Sequence, residues 1–308
     1  YCTKKYPECE FKFIWDKNIL KNLTAFSGWS LFGSVAYIAK GQGVNVILNI
    51  FFGALVNAAW GISQQVNAAV VTFVQNFVTA INPPLIKAYA QGNRERMFSL
   101  LFNGMKYTFF LAFTLVVPLL FETDLVLSLW LKNVPEHTVA FVRYTLVVIM
   151  IELFSHVIGT TVQATGSIKW YQIIVGGILF LNLPLSYIVI RWTDSPLSPM
   201  YVAMALSIAS MIFRFWNLYR LIHYPLTRLF SLFRLVLILM VCTLPAVYAL
   251  QYGLSEGIGR FFVLLLSNLL LSGGVLFLFG TSKEEHLKMR TYASNFIQNY
   301  VKRFTRKF

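Results

Sequence analysis

Five ionisable side chains stand inside stretches otherwise apolar enough to cross a bilayer: Lys40, Lys106, Arg143, Arg214 and Glu152. A charge at that depth is costly, so each either serves a function or reaches the headgroups along its own stem. Lys40 lies deepest, beside the run Lys40-Gly41-Gln42-Gly43. Glycines there would let a helix unwind, as helices lining a transport path do. On a regular wheel Lys40 lies off the polar stripe of Ser27, Ser30, Ser34, Gly41 and Asn45. Lys106 and Arg143 fall within about two turns of their helix ends, where a site role and snorkelling fit equally. Arg214 is closer still to an end and reads as an anchor. Glu152 is the one acid deep in a span, and His156 follows at i+4 on the same helical face. Such a carboxyl either picks up a proton or binds Na⁺, coupling transport to an ion gradient, or is paired structurally with His156 or with a cation on a neighbouring helix.

A second polar feature runs along residues 55–82. At 100° per residue, Asn57, Gly61, Gln64, Gln65, Thr72, Gln75, Asn76, Thr79 and Asn82 share an arc of about 120°, with Asn67 at its edge. The opposite arc holds Leu55, Ile62, Val66, Val70, Phe73, Val74, Phe77 and Ile81. Unpaired amides are expensive in hydrocarbon, so the stripe should face other helices or a water-filled cavity.

The elements that must position these groups are membrane spans. Hydrophobic residues are 57% of the 308 and charged ones 12%, about half the charge of a soluble protein. Eight stretches are long enough to span: 24–51, 55–82, 99–121, 138–163, 170–191, 199–222, 230–252 and 257–280. The class expected is therefore an all-α integral membrane protein. The net charge of +14 is distributed as the positive-inside rule requires, not as a nucleic-acid patch. With residues 1–22 cytoplasmic and the spans alternating, only Lys132, Arg191 and Arg260 fall outside. Lys40, Lys106, Arg143 and Arg214 lie within spans, and the remaining 19 of the 26 lysines and arginines lie inside. Both ends are thus expected on the cytoplasmic side of a multi-pass protein.

Residues 1–22 read as a basic segment, 23–222 as a six-helix unit, 223–280 as two further spans and 281–308 as a basic tail. Between the second and third spans, Pro83-Pro84 opens a basic connection that could start a short surface helix. In the tail, Leu287, Tyr292, Phe296, Tyr300 and Phe304 recur at about helical spacing among cations. That pattern fits an amphipathic helix on the membrane face, or an ordinary positive stop after the last span. Cys2, Cys9 and Cys242 form no ligand set, and His137, His156, His223 and His286 are scattered, so no metal site is expected. No Walker loop or nucleophile elbow occurs, and the twelve acids form no catalytic pair. The residues point away from an enzyme and toward a carrier without a cofactor.

The run FSGWSLFGSVAYIAKGQGVNVILNIFFGALVNAAWGISQQVNAAVVTFVQNFVTAINPPLIKAYAQGN resembles the opening of the second lobe of polysaccharide flippases in the MATE-like multidrug/oligosaccharidyl-lipid/polysaccharide superfamily. It is similar in particular to members serving lipopolysaccharide biosynthesis. About seventy residues carry the match. The resemblance implies two helical bundles around a cavity in the bacterial inner membrane. Alternating access would move a lipid-diphosphate-linked oligosaccharide outward, as a polysaccharide or O-antigen precursor. Eight spans starting in the cytoplasm would correspond to the seventh to fourteenth of the family. The chain opens on Tyr1 without a cleavable signal pattern, so an upstream lobe is expected as partner. On this resemblance Lys40, with Lys106 or Arg143, would offset the diphosphate, and Gln64, Asn67, Gln75 and Asn76 would bond sugar hydroxyls. Glu152 with His156 would be the H⁺ or Na⁺ coupling candidate. The alternatives are a MATE-like drug or small-molecule exporter, an integral-membrane glycosyltransferase or polymerase, and a purely structural scaffold. Four basic charges to one acidic within the spans favour an anionic substrate over a cationic drug.

Overall fold

A computed structural model describes residues 15–281, and every element among them is helical. The basic tail expected over 281–308 lies, from residue 282 onward, outside the described residues, as does the basic N-terminal segment up to residue 14. Among the described residues seven helical rods are long and apolar enough to cross a membrane, so the chain is a multi-pass helical membrane protein.

The first rod, α1 (Lys17–Ala90), is 74 residues long. A straight helix of that length would far exceed the roughly 30 Å of a hydrocarbon core. It breaks at Gly53, whose φ of 78° and ψ of −174° belong to a region essentially open only to glycine. The arms 17–52 and 54–90 fold back on each other, so Val44, Leu48, Ala59 and Trp60 share one small core. Each arm is long enough to cross a hydrocarbon core by itself, as the predicted stretches 24–51 and 55–82 require. Asp16 starts the first arm by accepting bonds from the Asn18 and Ile19 amides at 2.7 and 3.2 Å.

Two expected interruptions do not occur. The helix passes through Gly41 and Gly43 without unwinding. Gly43 instead lies where the Leu183 side chain would collide with any Cβ, so this glycine serves close packing. Pro83 and Pro84 do not end the second span either, for the helix continues to Ala90. The missing amide donors are tolerated close to a helix end, and Leu85 and Ala88 beyond them are fully buried.

The chain then runs through α2 (Arg94–Phe121), the short α3 (Thr123–Trp130) and α4 (Thr138–Glu152), which continues past Leu153 as α5 (Phe154–Ala164). Next come α6 (Lys169–Phe180) and α7 (Asn182–Thr193), two halves of one rod broken at Leu181. Pro184 accounts for that break, since its ring crowds the carbonyl four residues earlier, at Phe180. Three helices complete the described chain: α8 (Ser198–Ile222), α9 (Leu226–Gly253) and α10 (Ile258–Val275), the last extended by one π-turn over Leu276–Gly280. The stretch between the third and fourth predicted spans is not all loop, for Thr123–Trp130 forms the helix α3.

α2 is the most enclosed rod. Leu101, Met105, Phe109 and Phe113 join Val74 and Val78 of α1 and Val157 of α5 in the main core. Lipid tails are as apolar as these side chains, so close packing and polar bonds, not exclusion from water, hold the rods together. The seam between α2 and α10 illustrates this. Pro118 removes the amide that would bond the Thr114 carbonyl, and Asn268 of α10 donates to that carbonyl and to that of Phe113, both at 3.2 Å. At the end near Phe121, Arg260 and the buried Glu122 form an ion pair at 2.7 Å, and Gln251 of α9 donates to the Phe121 carbonyl at 3.0 Å.

Candidate functional site

The two arms of α1 diverge from α4, α7 and α8 around a chamber of about 120 Å³. Lys40 lies thirteen residues before the Gly53 turn, roughly 20 Å of helix, and so near mid-depth. Its ammonium is bonded to the Glu152 carboxylate at the end of α4. Ser207 of α8 completes the group, with its hydroxyl 3.4 Å from the Lys40 nitrogen and donating to Glu152 at 2.5 Å. Gln64 and Asn67 line the same chamber from the second arm and are themselves linked at 3.3 Å. Thr145 and Asn182 are buried at its wall, and the Thr145 hydroxyl and the Asn182 side-chain nitrogen have no hydrogen-bond partner among the described residues. Buried donors without partners are uncommon in a finished interior and mark a place where a ligand or water completes the bonding.

The chamber does not stand alone. Tyr37, Asn67, Ile149 and Glu152 also border a second, smaller space reaching His156 and Arg214. His156 and Arg214 in turn border a wide cleft of about 630 Å³, to which Gln75, Asn82, Gln163 and Tyr171 contribute. Along this path the Arg214 guanidinium donates to the Tyr171 hydroxyl and, through Nε, to Ser210 at 3.1 Å. It also lies 5.2 Å from the centre of the Tyr171 ring. The result is a file of polar and charged groups running from an open cleft to mid-membrane.

Of the residues singled out from sequence, Lys40, Gln64, Asn67, Glu152 and His156 come together here. Gln75 reaches the wide cleft, with its side-chain oxygen unpartnered. The other three lie elsewhere. Asn76, with Gln65, Thr72 and Thr79, is on the exposed side of the second arm. Lys106 is buried against α10, donating to the Gly280 carbonyl at 2.9 Å with its charge 4.5 Å from the Tyr107 ring. Arg143 pairs with Asp124 at 2.7 Å near the Gly53 end of the bundle. Arg214, expected as a headgroup anchor, instead turns inward to Tyr171, because the direction of a side chain depends on the helix it meets and not on depth alone. Reasoning from sequence also missed Tyr37, Thr145, Tyr171, Asn182, Ser207 and Ser210. One signal was present: Ser207, Ser210 and Arg214, at spacings of three and four, form a polar file on one face of α8.

Among the described residues no cluster of three or more His, Cys, Asp or Glu is placed to hold a metal ion. No protein-family model matches the chain, and comparisons with curated proteins and with solved structures likewise find no match.

Proposed function

We propose that this chain forms the helical bundle of a carrier that moves a lipid-diphosphate-linked oligosaccharide across the bacterial inner membrane by alternating access. The observation that supports this reading is the Lys40–Glu152–Ser207 group at mid-depth, in a chamber linked to an open cleft by a smaller space that shares lining residues with both. A sealed structural ion pair would not adjoin a void bordered by unpartnered donors. On this reading the cations Lys40 and Arg214 attract the diphosphate, while Gln64, Asn67 and Asn182 exchange hydrogen bonds with sugar hydroxyls. No bond is made or broken; a site of balanced affinity opens to each side in turn. Basic loops inside give the orientation, with both chain ends cytoplasmic. An upstream helical lobe, implied by the resemblance, would close the cleft.

A second reading has one observation in its favour. Glu152 neutralises Lys40, so Lys40, Glu152 and Arg214 together carry a single net positive charge. That is a weaker field than four unopposed cations, and it brings a MATE-like exporter of a small molecule within reach. Complementation separates the two. The full-length gene, placed in a bacterium deprived of its own polysaccharide flippase, should restore surface glycan, and well-expressed Lys40→Ala should lose it. Restoration by both versions would remove Lys40 from the site. Drug resistance without glycan would replace the flippase by the exporter.

A further inference from the structure

Lys40 has no charge to spare in this structure. Its ammonium is committed to Glu152 and lies within reach of Ser207, and the Ser207 proton points at the same carboxylate. An anion arriving in the chamber meets a neutral pair and a carboxylate that repels it. Protonation of Glu152 reverses each of these terms. A carboxylate only accepts hydrogen bonds, whereas the acid also donates one. The Ser207 hydroxyl is then free to turn, the Lys40 ammonium is unpaired, and the donors of Lys40 on α1 and Glu152 on α4 face the void together with Asn182 and Thr145.

We propose that Glu152 is a built-in competitor for the transported anion: Lys40 binds the anion only once Glu152 has taken a proton, so each anion seated in the chamber brings one proton with it. The inference rests on reading the chamber as an anion site. The groups facing Glu152 suit the exchange. Lys40 and Tyr37 approach from the first arm, Ser207 and Arg214 from α8, and His156 lies one turn further along on α5. His156 borders both the inner space and the open cleft, so a proton from solvent reaches the carboxylate past an imidazole.

The test is calorimetric titration of the purified full-length protein with farnesyl diphosphate, in two buffers of unlike ionisation enthalpy. The probe's own protonation is common to all variants and cancels between them. Wild type should take up close to one proton more per diphosphate than Glu152→Gln. That variant should bind about tenfold tighter at the alkaline end of the range, and Lys40→Met should bind at least about tenfold more weakly than wild type. With dodecylsulfonate, whose charge is constant, wild-type affinity should fall about tenfold per pH unit above the carboxyl's titration, a readout needing no variant. Equal proton uptake in wild type and Glu152→Gln, or a sulfonate affinity flat in pH, overturns the exchange while leaving the anion site in place. No binding of either probe by wild type and by folded Glu152→Gln overturns the anion site, and the reading of the function falls with it.

Discussion

Two interhelical ion pairs in this bundle have the same chemistry and opposite surroundings. Arg260–Glu122 joins α10 to the end of α2, with side-chain exposures of 10% and 1%, and stands in a seam where Asn268 and Gln251 cover the nearby carbonyls. Lys40–Glu152 joins the first arm of α1 to α4, with exposures of 13% and 28%, and borders a void. In the seam the guanidinium meets the carboxylate at 2.7 and 2.9 Å and no cavity borders the pair among the described residues, so it is closed and holds α10 in place. In the chamber the carboxylate remains accessible and donors stand idle, so the pair is open to exchange. A charge within a span is therefore informative less by its presence than by whether a cavity adjoins it.

Substitutions can break this contrast. The largest effect is expected from Glu122→Ala, which leaves Arg260 only the exposed Glu256, 3.9 Å away; removing one partner of a buried pair costs about 3–5 kcal/mol, and the remaining carboxylate puts this loss at the lower end. Denaturant or thermal unfolding in detergent should register that loss, and a shift below about 1 kcal/mol would mean that the seam is not closed after all. Asn268→Leu comes next. It leaves the Thr114 carbonyl, already without its helical donor, unbonded at a cost of about 1–3 kcal/mol. Pairing it with Pro118→Ala sharpens the assignment, because an alanine amide at 118 can bond Thr114 again. The leucine should then cost less, and a double-mutant cycle showing no coupling would sever the two residues. The smallest effect on stability belongs to the chamber. Lys40→Met combined with Glu152→Leu removes both charges at once, an exchange that is often near neutral, so unfolding should move by no more than about 1 kcal/mol while glycan export fails. A collapse of the fold instead would reclassify this pair as a second seam.

Much of the architecture was legible before any coordinates. Hydropathy located the rods, and the gap between 24–51 and 55–82 falls on the Gly53 turn, since twenty-odd apolar residues leave few other readings. The errors cluster where a local signal meets a neighbour. Gly41 and Gly43 looked like a break because glycine weakens a helix; Leu183, distant in sequence, is what fills the space at Gly43. Lys106 and Arg143 shared with Lys40 a place within a span, yet α2 turns Lys106 toward Gly280 and α4 turns Arg143 toward Asp124. A helical wheel gives the angle between side chains of one helix but not which helix stands at that angle. For that reason the Glu152 and His156 pairing of faces was readable, and the partnership of Glu152 with Lys40, 112 residues away, was open among several cations.

The Gly53 turn has a consequence of a different kind. Because the reversal uses one residue and no loop, the two arms are geared together: the rotational phase of each is set by the number of residues counted from the joint. Lys40 and Gln64 meet in the chamber because their distances from Gly53, thirteen and eleven residues, bring both to the inner side. Adding one residue anywhere between the joint and Gln64 would rotate everything beyond it by about 100°. Gln64 and Asn67 would swing out of the chamber and another set of side chains would swing in, with no side chain of the site having been replaced. The arithmetic of this stretch is thus as much a part of the site as its chemistry.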